Sequence, residues 1–246
     1  MIEYLNIAKE AVILARKKFD LNKDRVVVNS SIGKDIKLQL DIDIEKTLIK
    51  NLKSNSDFDI LGEESGLIKG SSDKKFRWII DPIDGTLNFS RGIPFYCISV
   101  ALWDGDSPVL GVIHDLSAGK CYTGIVNIGA WCDDKPIMVS NINDIKKSII
   151  CTGFPVYSSF DDKNLNSFIK EIQSYKKVRL FGSAAMSLIM VSKGSAEVYK
   201  ENTIALWDVA AGIAINLAAG GYANFEFQNE QKYLLDVICH NNKLNL

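Results

Sequence analysis

Trp78-Ile79-Ile80-Asp81-Pro82-Ile83-Asp84-Gly85-Thr86-Leu87-Asn88-Phe89 is the stretch that decides the fold of this chain. Its apolar start, residues 78–80, predicts a buried β-strand with Asp81 at the carboxyl end, where α/β proteins place their ligands. We expect Pro82 to stop that strand, and the turn after it to return Asp84 to the side of Asp81. Two neighbouring carboxylates of this kind suit a hard cation such as Mg²⁺, which prefers oxygen ligands.

The Gly-Thr pair that follows favours a bound phosphate. Gly85 allows a close backbone approach, and if Gly85 and Thr86 open a helix, their amides point at an anion. An isolated Asp-Gly pair is more often a solvated turn. Two further acidic segments favour a site here: residues 61–66, which follow a second apolar run, and Trp207-Asp208-Val209-Ala210-Ala211-Gly212. Asp208 on its own could simply cap the apolar helix that begins there.

Together these segments resemble the inositol monophosphatase family of Mg²⁺-dependent phosphomonoesterases. The signatures are Gly62-Glu63-Glu64-Ser65, the 78–89 stretch centred on Asp81-Pro82-Ile83-Asp84-Gly85-Thr86, and Trp207-Asp208-Val209-Ala210. Their order matches the family's, and the resemblance covers essentially the whole chain. It implies an α/β fold, the layered α/β/α/β/α sandwich of that family. It also implies hydrolysis of a small phosphate monoester by metal-activated water attack, with inositol-1-phosphate or a related polyol or sugar phosphate as substrate.

The resemblance further implies roles for single residues. The metal ligands would be four carboxylates and one backbone carbonyl: Glu63, Asp81, Asp84, Asp208 and the carbonyl of Ile83. Thr86 would orient the attacking water together with an Asp before the second helix, a place that Asp41 fits, and Glu63 would help to deprotonate that water. The family commonly has Val-Thr upstream of this Asp, whereas Lys37-Leu38-Gln39-Leu40 stands here. A plain helix cap therefore stays open as the alternative for Asp41.

Substrate contacts are implied in the same way. Gly85 and Thr86 would contact the phosphate. In the resembling family a Gly-Thr/Ser-Ala turn and a Glu upstream of Trp-Asp contact the polyol, and Gly182-Ser183-Ala184 and Glu201 occupy those places here. A carboxylate suits vicinal hydroxyls because it accepts two hydrogen bonds. Glu201 could equally be a surface acid at a strand end, and Arg179 could either brace this region or be solvated.

The residues bear on several alternative functions. Asp84-Gly85-Thr86-Leu87 imitates the haloacid-dehalogenase signature, but Pro82 stands where that class needs a nucleophilic Asp, so we discount it. A fructose-1,6-bisphosphatase or a 3′(2′),5′-bisphosphate nucleotidase shares the metal motifs. Asn88 favours the inositol phosphatase side, since the nucleotide branch often has Lys-Glu there. A non-catalytic regulatory binding protein on the same fold is the alternative from another class, and the full set of acids argues against it.

Length and composition agree with one compact enzyme. The 246 residues are 47% hydrophobic, enough for a large core, and 29 basic against 30 acidic residues leave a net charge of −1. Without a basic excess or block, neither a nucleic-acid nor a membrane partner is expected. The cysteines lack Cys-x-x-Cys spacing, which favours reduced thiols and a cytoplasmic location. They are Cys97, Cys121, Cys132, Cys151 and Cys239. A homodimer is implied by the resemblance alone.

The chain is expected to form two lobes. Polar residues 141–147 lie between two apolar runs, so we place the boundary there. An N-terminal α+β lobe, 1–144, would carry most of the metal site, and a C-terminal α/β lobe, 145–246, would complete it. The expected helices are 1–20, 42–53, 165–176, a helix capped by Ser183, and 208–219. The expected strands include 25–29, 148–154, 196–200 and an antiparallel meander over 95–132 that is broken at 104–108 and 117–120.

Overall fold

The computed structural model describes residues 1–24, 28–32, 35–154 and 161–246. Within these ranges the chain forms six α-helices, fifteen β-strands and two 3₁₀ helices, Ile145–Lys147 and Glu230–Lys232. The α-helices are α1 (Ile2–Asn22), α2 (Gln39–Asn55), α3 (Thr86–Ser90), α4 (Asp162–Gln173), α5 (Ala184–Ser192) and α6 (Leu206–Ala218). The first ten strands are β1 (Val28–Ile32), β2 (Asp35–Leu38), β3 (Asp59–Gly62), β4 (Gly66–Ile68), β5 (Phe76–Asp84), β6 (Cys97–Asp104), β7 (Ser107–Asp115), β8 (Lys120–Ile125), β9 (Gly129–Cys132) and β10 (Lys135–Ile137). The last five are β11 (Ile149–Thr152), β12 (Lys177–Arg179), β13 (Val198–Ala205), β14 (Tyr222–Asn229) and β15 (Leu234–His240).

Two large mixed sheets organise these elements. The first has eight strands in the order β10-β9-β8-β7-β6-β5-β3-β4, and the second has five in the order β12-β11-β13-β15-β14. In the first sheet β3 and β5 run parallel and the other pairs are antiparallel. Strands β1 and β2 form a separate antiparallel ribbon. The expected meander over 95–132 is confirmed as β6 to β9.

The helices lie in three layers around the two sheets. Helices α1 and α2 pack on one face of the first sheet, and their apolar residues share a core with Trp78 and Val100. Helices α5 and α6 lie between the sheets, in a second core that joins Trp103 of the first sheet to Tyr199 of the second. Helix α4 contacts β12 on the far side of the second sheet. The expected α/β/α/β/α sandwich is therefore confirmed.

Several expected boundaries were wrong by a few residues. Helix α2 begins at Gln39, so Asp41 lies in its first turn and not before it. Helix α4 begins three residues early, at Asp162, because the side chain of Asp161 accepts a hydrogen bond from the Asn164 amide and caps it. Helix α6 begins at Leu206, which makes Asp208 its third residue.

The strand ends differ in the same way. Strand β13 begins at Val198, two residues after the start of the predicted 196–200, and continues to Ala205. Strand β1 begins at Val28, and residues 25–27 of the predicted strand 25–29 lie outside the described residues. The boundary between lobes at 144/145 stays a prediction. Across the described ranges, no helix has both the length and the apolar character needed to cross a bilayer.

Small residues allow α6 to approach the first sheet closely. Gly111 on β7 faces α6, and a Cβ atom there would overlap the carbonyl of Ala211. A Cβ at Gly124 on β8 would lie 2.8 Å from the Cα of Ile215. This close contact fixes the distance between the first sheet and the helix whose first turn carries Asp208.

We expect Gly111→Ala to lower the free energy of unfolding by about 1–3 kcal/mol, since the added methyl group forces β7 and α6 apart. For a chain of this size that corresponds to a fall in Tm of roughly 2–4 °C per kcal/mol. Urea unfolding followed by tryptophan fluorescence measures it. An unchanged midpoint would contradict the close contact between β7 and α6.

Candidate functional site

A β-bulge places Asp81 and Asp84 on one face of the first sheet. Strand β5 does not stop at Pro82, as the sequence suggested; it runs on to Asp84 with a shift in register. Asp81 is paired with Ser99 and Asp84 with Cys97, so three steps on β5 match two on β6. Three regular steps would put the two acids on opposite faces, and the extra residue corrects this. The proline lies inside the bulge, where its missing N–H is tolerated.

Three more carboxylates lie near Asp81. Glu63 follows the end of β3, whose last residue is in register with Ile80 of β5, so it stands beside Asp81. Burial raises the pKa of Asp81 well above its usual range, and the charges of Glu63, Asp84, Asp208 and Asp41 raise it further. The structure therefore brings together all four predicted metal-binding carboxylates, with Asp41 close by.

The neighbouring acids perturb one another. Burial raises the pKa of Asp208 well above its usual range, and the charges of Asp84, Glu63 and Glu201 add to this effect. Burial raises the pKa of Asp84 to about 6, although hydrogen bonds to its carboxylate oppose the shift. Like charges in a poorly hydrated site disfavour ionisation, and such perturbation is typical of functional sites.

Asp84 is held by the start of α5. Its Oδ2 atom accepts hydrogen bonds from the Ser183 hydroxyl at 2.6 Å and from the Ala185 amide at 2.7 Å. Ser183 is also the N-cap residue of α5, as predicted, and its Oγ accepts from the Met186 amide at 3.3 Å. The predicted substrate contacts of Gly182, Ser183 and Ala184 stay predictions. The Ser183 hydroxyl is already engaged with Asp84.

The Gly-Thr turn brings a backbone carbonyl and a hydroxyl together. Gly85 has a φ of 89°, in the left-handed region that favours glycine, and a Cβ there would lie 2.8 Å from the Phe95 carbonyl oxygen. The Thr86 hydroxyl donates to the carbonyl of Ile83 at 2.8 Å. The carbonyl that the resemblance implies as a ligand and the hydroxyl that it implies for water thus lie side by side.

Asn88, which sequence reasoning did not assign to the site, ties this turn to the second half of the chain. It is 8% exposed, and its Nδ2 donates to the carbonyls of Phe95 at 2.9 Å and Phe181 at 2.7 Å. Gly182, which follows Phe181, has a φ of 73° and lies against the Asn88 side chain. Asn88 therefore fixes the loop before Ser183 relative to the loop before β6.

Asp41 caps a helix and also lies close to Asp81. Its Oδ2 accepts a hydrogen bond from the Leu38 amide at 2.9 Å, so it does cap the start of α2. It is also 2% exposed and close enough to Asp81 to raise the pKa of that acid. Its predicted part in positioning water stays a prediction.

Glu201 lies in a fixed position at the edge of the site. The Tyr199 hydroxyl donates to its Oε2 at 3.0 Å, and a Cβ at Gly153 would lie 2.5 Å from both carboxylate oxygens. Burial raises the pKa of Glu201 to about 7, with the Tyr199 hydrogen bond opposing and the charge of Asp84 adding to the shift. Arg179 is exposed, and its Nη1 donates to the carbonyl of Val178 at 2.9 Å.

Glu45 was also missed by sequence reasoning. It is 2% exposed on α2, and its carboxylate accepts hydrogen bonds from the amides of Glu64 at 3.0 Å and Ser65 at 2.8 Å. The available signal was its spacing, because Asp41, Glu45, Leu48 and Leu52 lie on one helical face. A charged residue on an otherwise apolar face indicates a buried partner.

The donor set fits a hard cation. The Oδ1 atom of Asp81 is buried and has no hydrogen-bond partner among the described residues, although a buried carboxylate oxygen normally has one. Carboxylates and a carbonyl are the oxygen ligands that Mg²⁺ prefers. In the described part of the chain, no three His, Cys, Asp or Glu side chains already form a closed ligand arrangement. The acids that fit the cation thus lie near one another, but their side chains would have to move closer together to bind it.

The sequence matches one protein family and is similar to several named proteins. The sequence model described as "Inositol monophosphatase family" matches residues 2–243. The chain is 38% identical over 180 residues to a protein of Xylella fastidiosa named Nus factor SuhB, covering 72% of this chain and 64% of that protein. It is 31% identical over 248 residues to a protein of Aquifex aeolicus named fructose-1,6-bisphosphatase/inositol-1-monophosphatase, covering 99% of this chain and 92% of that one.

A solved structure shows the same architecture. The crystal structure of the extragenic suppressor protein suhB from Bartonella henselae superposes with a TM-score of 0.87 at 29% identity. The alignment covers 98% of this chain and 94% of that one.

We expect the metal-free protein to become more stable as the pH falls from 8 to 6. The site acids have raised pKa values, so the folded state binds protons more readily than the unfolded state, and stability is lost as pH rises through the folded values of about 6 for Asp84 and about 7 for Glu201. Thermal melts in EDTA should show a Tm higher at pH 6 by on the order of 5 °C.

The variant Asp81→Asn tests whether the acids cause this pH dependence, because it removes one of the interacting charges. Its Tm should depend less on pH than that of the parent chain, and at pH 8 in EDTA it should be the higher of the two. Equal pH dependence in both proteins would show that the site acids do not govern stability in this range.

Proposed function

The chain belongs to the inositol monophosphatase family, and we propose that this phosphomonoesterase uses Mg²⁺ to hydrolyse inositol-1-phosphate or a related polyol or sugar phosphate. The observation that carries the proposal is the buried Asp81 with four acids around it and one oxygen without a hydrogen-bond partner among the described residues. Without a cation these carboxylates would repel a phosphate dianion, so the site makes chemical sense only as a metal-assisted one.

The proposed ligands are the four carboxylates and one carbonyl named from the sequence: Glu63, Asp81, Asp84, Asp208 and the carbonyl of Ile83. When bound there, Mg²⁺ would polarise the phosphoryl oxygens, make a water more nucleophilic and neutralise the leaving oxygen. Asp84 supports this assignment because the Ser183 and Ala185 hydrogen bonds fix one of its oxygens and orient its carboxylate.

The protein's own groups would position the water and remove its proton. The Thr86 hydroxyl donates to the Ile83 carbonyl, so its oxygen lone pairs remain available to accept a hydrogen bond from water. Glu63 and Asp41 are the proposed acceptors of the proton that the water releases. Pro82 stands two residues before Asp84, where an aspartyl nucleophile would otherwise be, so we propose direct attack without a phosphorylated enzyme.

The proposed phosphate contacts are the backbone amides of Gly85 and Thr86. The missing side chain and positive φ of Gly85 leave room for the close approach that such contacts need. Helix α3 has only five residues, so its individual amides would contribute more to phosphate binding than its helix dipole would.

Three other functions are alternatives, and two of them have specific observations in their favour. The name of the Aquifex aeolicus relative includes fructose-1,6-bisphosphatase, which favours a bisphosphate substrate as the second candidate within this reaction class. A 3′(2′),5′-bisphosphate nucleotide is the third. The name of the Xylella fastidiosa relative, Nus factor, favours a regulatory binding role instead of turnover, or in addition to it. A homodimer is proposed from the family resemblance.

Phosphate release tests the proposed function. The substrates are inositol-1-phosphate, fructose 1,6-bisphosphate, adenosine 3′,5′-bisphosphate and NADP, each with Mg²⁺ and with excess EDTA. We expect release from inositol-1-phosphate that needs Mg²⁺, and we expect Asp84→Asn and Asp208→Asn to lower kcat by about 10²-fold or more. Their Tm in EDTA should hold or rise, since each change removes a buried like charge.

Asp104→Asn is the control, because Asp104 is an exposed acid at the far end of β6. It should keep the activity of the parent chain. Full turnover in EDTA after metal stripping would overturn the metal assignment. No release from any of the four esters would favour the regulatory binding role.

Glu201→Gln should raise KM for inositol-1-phosphate about tenfold and leave KM for p-nitrophenyl phosphate nearly unchanged, because only the first has hydroxyls for this carboxylate to bind. Gly153→Ala should act in the same direction, since the new Cβ would displace the Glu201 oxygens. Steady-state kinetics on both esters measure the difference. Equal changes in KM for the two substrates would show that Glu201 does not take part in substrate recognition.

A further inference from the structure

We propose that Glu45 is a positioning residue that fixes Glu63 within the carboxylate cluster and thereby sets the affinity of the site for a divalent cation. Glu45 is not one of the proposed ligands. The inference rests on the proposed function in one respect, that Glu63 binds the metal. It adds the group that holds Glu63 in place.

The carboxylate of Glu45 binds the two backbone amides that directly follow Glu63. Its Oε2 accepts from the Glu64 amide at 3.0 Å and its Oε1 from the Ser65 amide at 2.8 Å, so each carboxylate oxygen has one backbone donor. The residue is 2% exposed, and water cannot readily replace these two bonds. On the other side of Glu63, Gly62 belongs to β3 and is in register with Ile80 of β5. The backbone of Glu63 is therefore fixed from both directions.

Gly62 makes this contact possible. A Cβ built at Gly62 would lie 2.6 Å from the Oε2 atom of Glu45 and 2.9 Å from the Oγ atom of Ser65. Its φ is not in the left-handed region, so the absence of a side chain serves the approach of Glu45 and not an unusual backbone conformation. Any larger residue would displace the carboxylate from the two amides.

The same contact links two predicted catalytic groups. Glu45 lies one helical turn after Asp41 on the buried face of α2, and both side chains point to the end of the sheet where β3 and β5 stop. Helix α2 thus carries Asp41 and also holds the turn that carries Glu63. A shift of α2 would move both acids together relative to Asp81.

An amide cannot replace this carboxylate. Glutamine offers one oxygen and one NH₂ group, so in Glu45→Gln one of the two backbone amides would face another donor. The turn after β3 would have to move, and Glu63 with it. Groups that orient metal ligands typically change metal affinity by about 10- to 100-fold when they are replaced.

Binding of Mn²⁺ tests the inference without any need for turnover. Mn²⁺ takes the same oxygen ligands as Mg²⁺, and the free ion can be followed by electron paramagnetic resonance during a titration of the full chain with MnCl₂. The variants are Glu45→Gln, Glu63→Gln and the control Glu197→Gln. Glu197 is also 2% exposed and accepts from the Ile149 amide at 2.7 Å and the Ser140 hydroxyl at 2.9 Å, in a part of the chain remote from the carboxylate cluster.

We expect Glu45→Gln to raise the Kd for Mn²⁺ at least about tenfold and Glu197→Gln to change it less than about twofold, at a temperature where melts show all variants folded. Gly62→Ala should raise Kd in the same direction while leaving the charge of Glu45 in place, and it decides the matter if Glu45→Gln does not fold.

The outcomes separate this inference from the proposed function. If Glu63→Gln weakens Mn²⁺ binding but Glu45→Gln, or in its place Gly62→Ala, behaves like Glu197→Gln, the positioning role is wrong and the metal site stands. If Glu63→Gln leaves Kd unchanged, Glu63 is not a ligand, and the ligand assignment and the positioning role are both wrong.

Discussion

The extra residue in β5 is the constraint on which the rest of the site depends. Asp81 and Asp84 are three residues apart, and a regular strand would direct them to opposite faces of the first sheet. The register shift against β6 puts both on the face that meets α5 and α6. Only on that face can they meet Asp208, which comes from the other half of the chain. Pro82 fits within the bulge because no backbone N–H is needed at that position to donate a hydrogen bond to the neighbouring strand.

Crowding of carboxylates around Asp81 disfavours the folded state, and the fold offsets part of that cost with backbone amides at helix starts. Asp84 accepts from the start of α5, through Ser183 and the Ala185 amide. Asp41 and Asp208 are each the third residue of a helix, and each accepts a hydrogen bond from the backbone of the residue before that helix, Leu38 or Ala205. Aligned peptide dipoles favour negative charge at such positions. Asp81 lies on a strand, and its Oδ1 has no such donor among the described residues. The remaining unfavourable charge is therefore concentrated where a cation would neutralise it.

The sequence predicted those parts of the fold and site that depend on local pattern. The apolar run before Asp81, the meander of β6 to β9 and the Ser183 cap all follow from spacing and turn chemistry. The roles of the acids were implied by the family resemblance, which their positions after apolar runs or at a helix start accompany. The bulge could not be predicted, because proline after a strand usually ends it, and only pairing with β6 shows that the strand continues. Glu45 and Asn88 were missed for a related reason, because their partners are 19 and 93 residues away and these contacts exist only after the chain has folded. Tyr199 was also missed, although its partner Glu201 is only 2 residues away and lies on the same face of a strand.

These missed residues share one property that bears on how the site works. None is a proposed metal ligand or substrate contact, yet each fixes one or the segment beside it: Glu45 fixes the turn after the proposed ligand Glu63, Asn88 the loop before Ser183, and Tyr199 the carboxylate of Glu201. Mutually repelling acids would otherwise turn away from one another toward water, because long side chains retain rotamer freedom. The Tyr199 hydrogen bond removes that freedom from Glu201, and the hydrogen bonds of Glu45 and Asn88 fix the backbone segments beside Glu63 and Ser183, before any cation arrives. Less conformational entropy is then lost when the carboxylates bind the cation, which is the physical advantage of a preorganised site.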